Sequence, residues 1–193
     1  MSKLQIWGRM SSINVKKVVW TAQEVGLDFE RHEAGGVHGV VKTPAYVALN
    51  PNSQIPTMED GGYVLWESNV ITRYLCAKHS SGNLYPTDLQ ERFDAERWME
   101  WQQTSVNPAS RNGFWHLIRL PAGERDPALV VQSNAAVELL MAMLETIWPL
   151  AGLWWENASA WLIFHSVAKC SAGLDCRNCA SRVRTLNAGS RRF

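Results

Sequence analysis

The first residues alternate in polarity. Leu4, Gln5, Ile6 and Trp7 switch sides like a half-buried strand, and Gly8-Arg9 provides the exit into a loop. From Ser12 to Val25 the period lengthens: Val15, Val18, Val19 and Ala22 recur at helical spacing, with Ser11, Ser12 and Asn14 as capping residues and Gly26 as the stop. Leu27 to His32 fits a second strand, and Thr43-Pro44 opens a short helix that ends at Asn50-Pro51-Asn52. Ile55 to Glu59 and Tyr63 to Trp66 flank Asp60-Gly61-Gly62 as a hairpin. Ser68 then caps a helix whose Val70, Ile71, Tyr74 and Leu75 share a face as far as His79. The expected order is βαβ, then α, then ββα.

A polar break at Ser80-Ser81-Gly82-Asn83 and the packed exit Leu84-Tyr85-Pro86 mark a boundary, giving residues 1–80 as one domain and 81–88 as a linker. Leu89 to Ile147 reads as helix, so residues 89–148 are expected to form an all-helical domain. Phe93, Trp98 and Trp101 are apolar in one segment, and Val130, Val131, Val137, Leu140, Met141 and Leu144 in another. Asp126-Pro127 caps the second segment. Pro108 interrupts or bends the first, because an interior proline removes a donor and clashes with the preceding turn.

Composition narrows this only slightly. The 193 residues are 46% hydrophobic and 19% charged, enough for one core or two small ones. No run looks apolar enough to cross a bilayer, and Met1-Ser2-Lys3 lacks a secretory stretch, so the expectation is a cytoplasmic protein without a membrane partner. With a net charge of +1, no overall field favours nucleic acid. Partners must be recognised by local sites.

Three features fall where such a unit brings them together. Helix N-termini offer free N–H groups and a partial positive charge that favours a thiolate, and Ser11, Ser12 and Asn14 stand at one. No cysteine lies there, so a thiol would belong to a ligand. Next, Gln54-Ile55-Pro56 puts a proline at the start of a hairpin strand; a cis bond would expose the Ile55 N–H and C=O for pairing with a peptide-like ligand. Last, Glu67-Ser68 suits an amino acid head group, its carboxylate at the Ser68 hydroxyl and free amides, its ammonium at Glu67. Each feature taken alone is as well explained by capping or an ordinary trans proline; together, in this order of elements, they are not.

Taken with their neighbours, these residues resemble bacterial glutathione S-transferases of theta or beta type. The stretches that carry the likeness are Ile6-Trp7-Gly8-Arg9 with Ser12, Asn14 and Val15, Ala48-Leu49-Asn50-Pro51-Asn52 with Ile55-Pro56, and Leu65-Trp66-Glu67-Ser68 with Ile71 and Tyr74-Leu75. It continues through Arg97 to Gln102, Asn107-Pro108 and Phe114-Trp115. The resemblance implies an α/β thioredoxin-like domain followed by an all-α domain, and an enzyme that conjugates the glutathione thiolate to an electrophilic, mostly apolar substrate. It implies Ser12 as the group holding the thiolate, with Asn14 or Ser11 as alternatives. Glutathione would lie along Ile55-Pro56, with its γ-glutamyl end at Ser68 and Glu67 and with Gln54 and Lys42 near its glycine. The electrophile would lie near Trp101, Asn107, Arg111 and Trp115, tryptophans that interdomain packing explains equally well. Glutathione is a co-substrate in this reading, no metal is needed, and the partners are a small electrophile and a second copy in a homodimer. The alternative is a non-catalytic glutathione-binding or interaction protein, a defective paralogue.

After Ile147 the likeness stops. The family's G-E-R-F-x-x-A-D-I type segment is missing, yet shifting the reading of the codons under Leu153 to Ser166 can yield V-V-G-E-R-F-G-M-A-D-I-P-F, and those under Arg182 to Phe193 R-P-D-V-E-R-G-F-A-T-L. The expectation is a frameshift near Ile147 or Trp148, leaving 149–193 as an aberrant tail and the helical domain incomplete. Cys176-Arg-Asn-Cys179, with Cys170 and His165 nearby, is then an accident of shifted codons rather than a zinc or redox site. The tail arginines Arg182, Arg184, Arg191 and Arg192 are likewise incidental.

Overall fold

A computed structural model describes residues 3–147; the expectations about residues 149–193, Cys170, Cys176 and Cys179 included, lie outside them. The chain divides into two compact units with the boundary between Leu89 and Gln90.

The first unit follows the order expected from the pattern. Strand β1 (Leu4–Trp7), helix α1 (Ile13–Glu24), strand β2 (Phe29–His32), helix α2 (Pro44–Leu49), strands β3 (Thr57–Asp60) and β4 (Tyr63–Trp66) and helix α3 (Ser68–His79) build a thioredoxin-like unit. The sheet runs β2-β1-β3-β4, with β1 parallel to β2 and the other pairs antiparallel. Alternation in β1 buries Leu4 and Ile6 on one face, where Met58 joins them. Val15, Val18, Val19 and Ala22 of α1 and Ile71 and Leu75 of α3 close over that face, so the 3.6-residue and two-residue periods meet in a single core.

The local signals act as the residue types require. Thr43 accepts a hydrogen bond from the Tyr46 amide, with Pro44 behind it at the start of α2. Gly61 and Gly62 both have positive φ, 60° and 90°, as a two-residue hairpin turn demands. Beside that turn Asp60 accepts hydrogen bonds from Tyr74 (2.8 Å) and Lys78 (2.5 Å) of α3, pinning the turn to the helix. Partial burial of Asp60 pushes its carboxyl up, but those two donors outweigh it and the group sits below its ordinary range.

In the second unit α4 (Leu89–Trp101) runs into a π-helical turn at Gln102–Val106, then α5 (Asn107–Phe114), then a second π-helical turn at Trp115–Arg119. Pro108 stands at the start of α5, and the wider turn before it absorbs the missing donor and the ring. Asp126 caps α6 (Pro127–Ile147) through the Ala128 amide at 2.8 Å. Gly113 of α5 lies against Ser133 of α6 so closely that a Cβ on the glycine would stand 2.9 Å from the serine Oγ. One expectation needs correcting: the 18 residues Pro127–Leu144 are, by length and composition alone, apolar enough to cross a membrane.

Asp60 also carries a pH dependence. A carboxylate held below its unfolded value stabilises the fold above about pH 4 and loses that contribution as the pH falls through the lower folded value. Urea titrations should therefore show Asp60→Asn less stable than the parent at pH 7, the gap closing toward pH 3. A gap independent of pH would contradict the pairing.

Candidate functional site

The sheet register gathers the three sequence features. Trp7 faces Thr57 across β1 and β3, and Thr57 faces Trp66 across β3 and β4. One residue beyond that row stand Gly8 and Glu67, which follow β1 and β4, and Pro56, which precedes the antiparallel β3, all at one end of the sheet. The starts of α1 and α3 flank the same end. This is the arrangement in which an extended ligand meets a strand edge between two helix N-termini.

Gly8 has a φ of 153°, and a Cβ there would stand 2.4 Å from Val15 Cγ2 and 3.4 Å from Ile55 Cβ, so only glycine lets the loop, the helix and Ile55 close up. Its carbonyl accepts a hydrogen bond of 2.7 Å from Arg31, whose other nitrogen donates to Glu33 at 2.6 Å. The Ile55-Pro56 bond is cis. Among the described residues the Ile55 N–H and C=O have no main-chain partner.

Ser12 is the residue before α1 and has extended backbone, but its hydroxyl makes no capping hydrogen bond. The expectation that it caps the helix is wrong in that respect, and the group is left for another partner. Asn14 is half-buried, its Oδ1 shielded from solvent and without a hydrogen-bond partner. Ser11 is exposed. At α3 the cap position belongs to Glu67, not Ser68: Glu67 is exposed with φ 72°, and Ser68 is the first helical residue and buried. A non-glycine residue held at positive φ is a costly conformation that concentrates at functional sites. Lys42 and Gln54 are exposed on either side of α2.

Beneath Gln54 lies a polar truss that sequence reasoning missed. Tyr46 donates to the Gln54 carbonyl at 2.6 Å, Asn50 Nδ2 donates to it at 3.0 Å, and both reach the buried Thr57 hydroxyl, at 2.8 and 3.1 Å. Asn50 Oδ1 in turn accepts from the Asn52 amide at 3.0 Å. The bend that delivers Ile55 and Pro56 is thus fixed from below. Asn50 was visible as a helix stop within Asn-Pro-Asn; nothing in the pattern marked Tyr46 as more than core.

The four residues assigned to an electrophile lie in the second unit. Asn107 and Arg111 are spaced four apart in α5, and Trp115, four further on, opens the π-helical turn that follows it. Trp115 and Arg111 are exposed, whereas Trp101 is half-buried, edge-on to Trp98 at 5.6 Å and in a cluster with Met141 and Leu144. Asn107 accepts from Gln102 at 2.5 Å and donates to Gln103 at 2.8 Å, so its amide is engaged across the π-helical turn. Among the described residues no group of His, Cys, Asp or Glu is placed to hold a metal. Cys76, the one cysteine among them, is buried in α3, and burial pushes its thiol up to about 11.

The chain is similar to proteins of known kind. Residues 2–77 match the family profile "Glutathione S-transferase, N-terminal domain". Glutathione S-transferase GstB of Escherichia coli K12 is 36% identical over 144 residues, covering 74% of this chain and 69% of its own. Glutathione S-transferase 3 of Zea mays is 36% identical over 70% of this chain and 62% of its own. Among solved structures, the theta class glutathione S-transferase from Xanthomonas axonopodis pv. citri with glutathione bound has 42% identity and a TM-score of 0.71, covering 76% of this chain and 71% of its own. The chain belongs to the glutathione S-transferase family. It is a transferase with glutathione as co-substrate, and catalysis is favoured over the non-catalytic alternative.

Two outcomes follow from the geometry. Tyr46→Phe removes a hydroxyl that donates to the Gln54 carbonyl and accepts from the Thr57 hydroxyl, and should cost about 1–3 kcal/mol in urea unfolding; an unchanged midpoint would contradict the truss. With its thiol raised to about 11, Cys76 should stay unalkylated in native protein at pH 8, as read by peptide mass mapping with iodoacetamide.

Proposed function

We propose that glutathione docks across the sheet end formed by Gly8, Pro56 and Glu67, and that Ser12 holds its sulfur as the thiolate. The observation that carries this reading is the Ser12 hydroxyl at the start of α1, which makes no capping hydrogen bond, at the sheet end where the cis Ile55-Pro56 bond leads into β3. The peptide pairs through the Ile55 main chain. Its γ-glutamyl carboxylate sits at Ser68 and the first amides of α3, its ammonium at Glu67, and its glycine carboxylate near Gln54 and Lys42.

The chemistry is then simple. Hydrogen bonding to sulfur and the positive end of α1 favour the thiolate, and the thiol proton leaves to water. A sulfur lone pair forms the C–S bond while the electrophile's leaving group departs with its bonding pair. Asn14, through its side-chain amide N–H, and Ser11, through its hydroxyl, are the remaining donors at this end of the helix.

The rest of the reading keeps residues 1–80 as the glutathione domain, 81–88 as the linker and 89–148 as the helical domain. Trp101, Asn107, Arg111 and Trp115 contact a small, mostly apolar electrophile, no metal takes part, and the protein is a cytoplasmic homodimer. A frameshift near Ile147 or Trp148 accounts for the sequence of residues 149–193.

Titrating the thiolate absorbance of bound glutathione and measuring conjugation rates tests the central role. Ser12→Ala should raise the bound thiol pKa and lower kcat roughly hundredfold while leaving glutathione affinity nearly unchanged. Asn14→Ala and Ser11→Ala should have smaller effects, and the same loss from Asn14→Ala with none from Ser12→Ala transfers the role to Asn14.

A further inference from the structure

Of the adjacent lysines Lys16 and Lys17, the first is exposed and the second is buried, with 3% of its surface accessible. Lysine is rarely so enclosed unless its ammonium is well served. Lys17 points from α1 to the start of α3, where Nζ lies 2.5 Å from Asn69 Oδ1 and 3.4 Å from Ser68 Oγ. An ammonium group has three donors and no lone pair, so at both contacts oxygen accepts. For Asn69 this fixes which end of the amide faces α1.

For Ser68 the consequence reaches the ligand. A hydroxyl has one proton and two lone pairs. Once a lone pair is taken by Lys17, the proton is free to point away from α1, so Ser68 presents itself to a ligand as a donor. A donor suits a carboxylate and does nothing special for a neutral amide oxygen, because hydrogen bonds to charged acceptors are the stronger ones.

We infer that Lys17 is a positioning residue for anion recognition: by donating to Ser68 Oγ it orients that hydroxyl toward the α-carboxylate of the γ-glutamyl group. The inference rests on the placement of that carboxylate at Ser68 proposed above. Lys17 itself touches neither ligand nor reacting sulfur, and its effect falls on binding rather than on the chemical step. A lysine that merely ties α1 to α3 would affect every ligand alike.

The test compares two peptides: glutathione, and its analogue whose γ-glutamyl α-carboxylate is a carboxamide. Wild-type protein should prefer glutathione by calorimetry. Lys17→Met should bind glutathione roughly tenfold more weakly and the amide analogue almost as before, with kcat at saturating glutathione within about twofold. In a Ser68→Ala background the same substitution should add almost nothing, because the two residues act as one unit.

Lys17→Gln, a gentler change should Lys17→Met not fold, should lose roughly threefold of the preference. Equal weakening of both peptides, an unchanged preference, or additive losses with Ser68→Ala would overturn the role of Lys17. A wild-type protein that binds both peptides equally would instead overturn the carboxylate placement itself, and this role with it.

Discussion

The site depends on strand register. Because β3 pairs with β1 on one side and β4 on the other, Gly8, Pro56 and Glu67 fall in one row at the sheet end. A slip of one residue would send Met58 and its neighbours to the wrong face and scatter that row, since side chains alternate with a period of two. The core therefore enforces the site: burying Leu4, Ile6 and Met58 beneath α1 and α3 is what selects the register. Stability and ligand geometry share the same residues in this unit.

Around that row the polar groups divide into committed and available. Tyr46, Asn50 and Thr57 are committed to shaping the bend before Ile55, and Arg31 to the Gly8 carbonyl. Among the described residues the Ser12 hydroxyl makes no capping bond and the Ile55 main chain has no main-chain partner. Buried polar groups are ordinarily satisfied within the protein, so these open positions describe the outline of what should fill them. On the reading proposed above, the occupant is an extended peptide with a sulfur at one helix start and an acid at the other.

Much of this was legible in the sequence because it is written in local signals. The change from two-residue to helical spacing after Arg9, the Gly61-Gly62 turn, Thr43-Pro44 and Asp126-Pro127 each act over a few residues and appeared where expected. What escaped is tertiary. The positive φ at Glu67 has no mark in the residue type, since glutamate does not favour that conformation. Lys17 beside Lys16 reads as a solvated pair until α3 is packed against it. Nothing local to Tyr46 marks its hydroxyl, which finds its partners only where Gln54 and Thr57 fold back over it. Ser12 was legible as a helix start but not as a residue whose side chain stays out of the cap.

The π-helical turns on either side of α5 carry a consequence of their own. A π turn holds one more residue than the α turn it replaces, so it behaves as a single-residue insertion tolerated without breaking the helix. With 3.6 residues per turn, each insertion swivels the side chains beyond it by about 100° relative to a continuous α-helix. The direction in which Asn107, Arg111 and Trp115 look is therefore set by one extra residue upstream. Gain or loss of a single codon in that turn would re-aim the whole row at once, a route to a differently shaped surface that leaves every side chain in it unchanged.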